Sequence, residues 1–393
     1  MRKPGVLFFV GGYGMLAERK AGNEMKRKWD WGSAAMSAMM LLMGMALGFT
    51  VIADLNERGE QSLGAHLFSV TWLAMAAALA LFGQLILHEG GHLVCGLATG
   101  YRFVSFRIGS WMLQREHGKL RVRKFTLAGT GGQCLLAPPP LTDGKMPCVL
   151  YNLGGPLANL ITALLCVLGM RFCRENWPLW VLLQLFAIVG IGMGLTNGIP
   201  LRGSVHNDGA NALSLGKDPA ALRSLWVQLS VNVQQAESVR LKEMPETWFA
   251  LPTDAEMQNS MTAVLAVLRE NRLMDAHRFD EAAALIDRLN TGAYAVMPLY
   301  NNMLLCDRLY CALLRGEDAY KWLAEWETKP MRQFRKQMAD YLTVLRTEYA
   351  AALHAGDMQT AEAFHVRFEV RASSYPYPAE VQSERELIER FAQ

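Results

Sequence analysis

Two imidazoles and a carboxylate fall within five residues at His88-Glu89-Gly90-Gly91-His92. On a helix, residues four apart project from one face, so ring nitrogens of His88 and His92 can reach one divalent ion while Glu89 stands beside it as a proton acceptor. This is the donor set and base of a hydrolytic zinc site. The setting sharpens the reading, because residues 68–87 are almost wholly apolar and no charge follows the motif until Arg102. A carboxylate at membrane depth is costly unless it is paired or metal-linked, which marks Glu89 as functional. Two helix histidines merely satisfied by neighbours leave the acid unexplained.

Four stretches stay uncharged for the roughly 20 residues that cross a hydrocarbon core of about 30 Å. They are Trp31 to Ala53, the run from about Phe68 into the motif, Met146 to Met170, and Pro178 to Leu201. Seven Lys and Arg precede the first span and seven follow the second, whereas the loops at 54–65 and 171–177 hold one and two. The positive-inside rule then makes the protein a multi-pass cell-membrane protein with both termini cytoplasmic, and sets the motif near the cytoplasmic end of span two. Residues 5–16 have the apolar middle of a signal peptide, but Glu18, Arg19 and Lys20 follow without a small-residue cleavage site. Residues 1–30 therefore read as an uncleaved cytoplasmic or interfacial segment.

Between spans two and three, polar and apolar residues alternate at 102–108 and again at 119–125, with Glu116-His117-Gly118-Lys119 as the turn. Period two predicts short strands, hence a small β-hairpin at the membrane face. Such a hairpin is either a surface ribbon or an edge strand able to hold an extended peptide.

A catalytic zinc site needs a third protein ligand, usually His, Glu or Asp from elsewhere in the chain. Span four ends in Asn197-Gly198-Ile199-Pro200, and Asn207-Asp208-Gly209 follows; span three opens with Gly154-Gly155-Pro156-Leu157-Ala158-Asn159. With these three separated motifs in order, residues 68–212 resemble the site-2 protease family of intramembrane zinc proteases. The resemblance implies that His88, His92 and Asp208 bind Zn²⁺, that Glu89 activates water, that Asn159 and Asn197 hold the substrate backbone, and that the chain acts in regulated intramembrane proteolysis. One departure is the eleven-residue step from Asn197 to Asp208, longer than the family spacing, so that residues 202–207 look inserted. That loop makes His206 the alternative third ligand. Gly90, Gly91, Gly96, Gly154 and Gly155 allow close approach of packed spans. Pro156 and Pro200 are expected to interrupt their helices and free backbone groups for an extended substrate.

Charge divides the chain: residues 1–216 carry 19 Lys and Arg against 11 Asp and Glu, and residues 217–393 carry 20 against 25. This sets a membrane-embedded domain at 31–216 apart from a soluble, cytosolic α-helical domain at 217–393. In the latter, amphipathic helices are predicted at 261–274, 279–289, 297–314, 319–327, 333–354, 358–370 and 380–391. Turn-then-helix starts at His277, Arg315 and Ala355 recur at close to 40 residues, a rhythm similar to tetratricopeptide-type repeats though without most of their signature positions; a plain helical bundle is the alternative. The overall fold class is thus an α-helical membrane protein with four transmembrane helices, a small β-hairpin region and an all-α repeat-like domain.

The net charge of +3 comes with no basic and aromatic stripe, which excludes nucleic-acid binding. Seven cysteines without a CxxC pair argue against disulfides and thiolate zinc sites. The partners expected are the lipid bilayer, a membrane-spanning or membrane-associated protein or peptide as substrate, and a cytosolic protein recruited by the helical domain. The competing function is a catalytically silent membrane scaffold or sensor with a structural metal site. A transporter is disfavoured because the four spans show no inverted repeat.

Overall fold

A computed structural model describes residues 31–57, 62–116, 118–125, 131–201 and 206–392; the segment 1–30 lies outside them. Four helices are long and apolar enough to cross a membrane: α1 (Trp31–Glu57), α2 (Leu63–Ala98), α3 (Val149–Gly169) and α4 (Trp177–Gly198). Leu73, Ala76 and Ala80 of α2 close against Val181, Leu185 and Val189 of α4 to form their inner core. The outer faces keep Phe49, Phe82, Leu164 and Leu165 exposed, a large apolar surface of the kind that marks an interaction face.

α2 and α3 come close enough for their backbones to touch. A side chain at Gly91 would overlap the carbonyl of Gly154, and one at Gly154 would overlap the carbonyl of Gly91. Only paired glycines let the two backbones touch here. Pro156 does not interrupt α3, contrary to the expectation from its residue type, because the helix runs unbroken from Val149 to Gly169. Its ring packs toward Gly198, where an added Cβ would lie 3.2 Å from the proline Cβ, so the ring fills an interhelical gap instead of making a kink. Pro200 stands beyond the last residue of α4.

Between α2 and α3 the chain forms one antiparallel sheet, β1 (Arg102–Ile108), β2 (Trp111–Glu116), β3 (Lys119–Lys124) and β4 (Gly132–Ala137), ordered β3-β2-β1-β4. The predicted turn is present as the β2–β3 hairpin, in which Glu116 pairs with Lys119 around Gly118 at φ +80°. The sheet is larger than the expected hairpin. Its added edge strand β4 ends in the short apolar run Cys134-Leu135-Leu136-Ala137, which alternation does not detect.

Past the short α5 (Asp208–Ser214) and α6 (Pro219–Ala236), the chain is a series of helices: α7 (Ser260–Asp275), α8 (Phe279–Leu289), α9 (Pro298–Leu314), α10 (Tyr320–Trp326), α11 (Lys329–Gln337), α12 (Leu342–His354), α13 (Met358–Ala372) and α14 (Pro378–Phe391). α7, α9 and α12 end in one hydrogen-bond pattern. Arg278, Glu317 and Asp357 donate to the carbonyls of Leu273, Ala312 and Ala352, around left-handed residues His277, Gly316 and Gly356. These are Schellman caps, and they account for the repeated turn signal at about 40-residue spacing. The single helix expected over 333–354 divides into α11 and α12, because the chain turns at Met338, whose side chain is buried in the helical core, and Asp340 faces Arg367 of α13 at 2.9 Å.

The two halves share their packing. Met112 and Phe125 of the sheet region lie in one core with Leu342, Leu345 and Phe368, while Leu229 and Ala236 of α6 cover Leu135 and Leu136 of β4. The change of composition near 217 is not a gap between cores.

The α2–α3 contact gives a direct test. Gly91→Ala is expected to destabilise the protein by about 1–3 kcal/mol or more, since backbone cannot swing away from the new methyl group. Gly90→Ala, which meets open space one residue away, should be neutral. Thermal unfolding of both variants in detergent checks this, and equal melting temperatures would refute the close approach.

Candidate metal centre

α2 aims the two histidines inward, one turn apart, and α3 fixes how they point. His88 Nδ1 lies 2.7 Å from Asn159 Oδ1, and His92 Nδ1 lies 2.8 Å from the Tyr151 carbonyl oxygen. The amide orientation of Asn159 is determined, because its Nδ2 donates to both the backbone carbonyl and Oε1 of Gln84, each at 2.8 Å. Both partners of the histidines are therefore acceptors that can take an Nδ1 proton, the arrangement that turns each Nε2 toward a metal when one is bound.

The two Nε2 atoms converge with a carboxylate. His88 Nε2 and His92 Nε2 are 3.2 Å apart, and Asp208 Oδ2 lies 3.3 Å from the first and 3.5 Å from the second. Three donors about 2.0–2.2 Å from a tetrahedral Zn²⁺ stand about 3.3–3.6 Å from one another, close to the spacing found here. Gly155 makes the room: a Cβ there would sit 2.5 Å from His92 Nε2 and 2.7 Å from His88 Nε2. The glycine read as simple helix packing is the floor of the site.

Asp208 arrives from outside the four long helices, and the side chain of Asn207 sets its position. Asn207 Nδ2 donates to the carbonyls of Thr196 (2.8 Å) and Ile199 (2.6 Å), while its Oδ1 accepts from Leu201 N–H and caps α5 through Ala210 N–H. Gly209 next to it lies flush on Gly198, where a side chain would overlap backbone. The extended loop is thus closed at its base, with Asp208 at the first position of α5. Among the described residues, the one cluster of His, Cys, Asp and Glu able to hold an ion is His88, His92 and Asp208, with donor atoms within 4.8 Å; His206 is not in it.

Set against known proteins, the chain matches no family model, no curated protein and no solved structure. The geometry carries the site by itself.

Glu89 faces the sheet. The Cys134 amide of β4 hydrogen-bonds to its carboxylate, and Gly132 gives it space, since a Cβ there would stand 2.8 Å from both Cγ and Oε1. The Glu89 carboxylate thus lies against the edge strand, which pairs with β1 on one side only.

The two asparagines separate. Asn159, expected to hold the substrate backbone, is fully buried, and its amide is hydrogen-bonded to His88 and Gln84. Asn197 is half-buried, and its Nδ2 donates to the Met193 carbonyl one turn back, which leaves its side-chain carbonyl for other contacts. Gln84 escaped the sequence reading although it is a polar residue deep in an apolar span, four residues before His88. It joins α2 to Asn159 of α3 and, through Nε2, to the Phe186 carbonyl of α4 at 2.9 Å.

Asn159→Leu should therefore weaken zinc binding by about 10–100-fold, the usual cost of losing a partner behind a ligating histidine. Asn197→Ala should leave it unchanged. Competition with a chromophoric chelator measures both, and equal affinities in the two variants would contradict the assigned anchoring.

Proposed function

We propose that this chain is a zinc-dependent intramembrane endopeptidase of the site-2 protease type. It cleaves a membrane-associated protein or peptide within or near its membrane segment. The observation that carries the reading is the convergence of His88 Nε2, His92 Nε2 and Asp208 Oδ2 at tetrahedral spacing beside Glu89, between apolar helices. A site that merely braced the fold has no need of a base next to its ligand.

His88, His92 and Asp208 would hold a Zn²⁺, which would supply Lewis acidity to acidify a water and polarise a peptide carbonyl. Glu89 takes the proton from the attacking water as its oxygen bonds to the carbonyl carbon. It then delivers that proton to the amide nitrogen as the C–N bond breaks. The Cys134 N–H and the cramped surroundings of Gly132 keep the Glu89 carboxylate turned toward the reacting atoms. Substrate must present an extended strand, because a helix hides its carbonyls. The free side of β4 is next to Glu89 and is the edge on which such a strand adds. Local unwinding of the substrate is thereby part of the reaction, and helix-breaking residues near the cleaved bond favour it.

The decisive experiment replaces the base and keeps the ligands. Glu89→Gln should retain zinc yet lose cleavage by roughly 10²–10⁴-fold or more, since an amide of the same size cannot accept the proton. Partners trapped in cells by this variant serve as substrates, and shortening of a trapped membrane segment by the parent protein is the readout. If Glu89→Gln processes the partner at the parental rate, the scaffold reading replaces the protease.

The basic flanks support a cytoplasmic sheet and C-terminus. Cytoplasm-active reporters fused at Gly118 and Gly216 should both give signal, and export-dependent activity at either position would overturn this topology.

A further inference from the structure

Between the sheet and the helical half lies a cavity of about 300 Å³ whose wall includes Phe125, Tyr375, Tyr377, Asp307 and Glu380. Three of its rings meet edge to face: Phe125 with Tyr375 at 5.4 Å, Phe125 with Tyr377 at 6.1 Å, and Tyr375 with Tyr377 at 6.2 Å. Tyr300 and Tyr341 extend the aromatic wall, and no Lys or Arg lines it.

Its two carboxylates differ. Asp307 is neutralised by Arg346 Nη2 at 2.5 Å. Glu380 receives only the hydroxyl of Tyr375, at 2.9 Å, and has no ion pair among the described residues. Deeper in α7, Glu270 is buried within electrostatic reach of Asp307, and neither of its oxygens has a hydrogen-bond partner. The interior thus has an excess of acid. We propose that this cavity binds a small free alkylammonium compound, with its charge on Glu380 and its carbon chain against Phe125, Tyr375 and Tyr377. Aromatic faces attract a desolvated cation while accepting its methylenes. The rings already do so nearby, because the Arg371 guanidinium, which does not line the cavity, lies 5.6 Å from Phe125 and 5.7 Å from Tyr375. An anion would meet two acids and no base. A bare divalent ion lacks a donor cluster here.

The site is independent of the proposed protease chemistry but adjoins it. Gln133 of β4 lines the cavity, and its neighbours Gly132 and Cys134 touch Glu89.

Calorimetry on the full chain in detergent micelles tests the proposal with 1,4-diaminobutane and its uncharged analogue 1,4-butanediol. The diamine should bind and the diol should not. Glu380→Gln, a neutral isostere, should weaken diamine binding by at least about tenfold, a change of about 1.4 kcal/mol.

A second readout uses the parent protein alone. Burial, and then the charge of Glu384, push the Glu380 carboxyl up to about 7 against the Tyr375 hydrogen bond. Below that pH it is protonated and offers no charge to an ammonium group, so affinity should rise from pH 6 to pH 8. The other groups facing it do not reverse this sign: Asp307 and Glu384 are paired with Arg346, and burial raises the phenols of Tyr375 and Tyr377. Equal behaviour of diamine and diol, unchanged affinity in Glu380→Gln, or a flat pH profile would each overturn the proposal. So would binding of a lysine-containing peptide in place of the diamine, because it would assign the cavity to a protein side chain.

Discussion

Two imidazole Nε2 atoms point at one spot inside a packed set of apolar helices, and most of the packing around α2, α3 and α4 is arranged to hold them there. A histidine satisfied in any other way would turn its Nε2 to a neighbour. The structure prevents this by occupying each Nδ1 with an acceptor, Asn159 Oδ1 for His88 and the Tyr151 carbonyl for His92. Both acceptors belong to α3, so α3 must lie close, and it does so through Gly91 against Gly154. Gly155 then leaves the space in which the nitrogens converge. Buried amide groups unpaired at such a place cost about 1–3 kcal/mol each, which is why Asn159 is itself held by Gln84, and Gln84 by α4. A single chain of hydrogen bonds thus crosses three helices and ends on His88.

Charge enters this apolar setting from its margins. Asp208 stands on a seven-residue helix tied to the end of α4 by Asn207, and Glu89 is steadied by a strand. The sheet in turn is covered by α6 and by the last helices of the chain. The helical half is therefore part of the support of the edge strand beside Glu89.

His88, Glu89 and His92 were legible because a helix period of 3.6 turns sequence spacing into a shared face. Asp208 was legible only as one of two candidates, since the loop that carries it hides its geometry. The residue type of Asn159 was noticed, but its hydrogen-bond partners were not, because their choice depends on α2 lying across α3. The Tyr151 carbonyl, the Cys134 amide and the space over Gly132 carry no mark in the sequence; backbone groups become specific only through tertiary contact. Gln84 did carry a mark, a polar side chain among aliphatic ones one turn before His88. The cap turns at His277, Gly316 and Gly356 were visible as a rhythm because local hydrogen bonding imposes them. The break between α11 and α12 was not visible, because it depends on Met338 finding the helical core.

The order of the chain sets a schedule for its synthesis. All three ligand residues and the sheet precede residue 217, whereas Leu342, Leu345 and Phe368, which cover Met112 and Phe125, come last. At about 5–20 residues per second, the remaining stretch takes the ribosome roughly ten to thirty-five seconds. For that interval the half that carries the His88, His92 and Asp208 cluster can be complete while one face of its sheet is bare. Nascent chains thus carry a sticky sheet face before they are finished, which gives chaperones a purchase there, and a truncated chain keeps that exposed face for its lifetime.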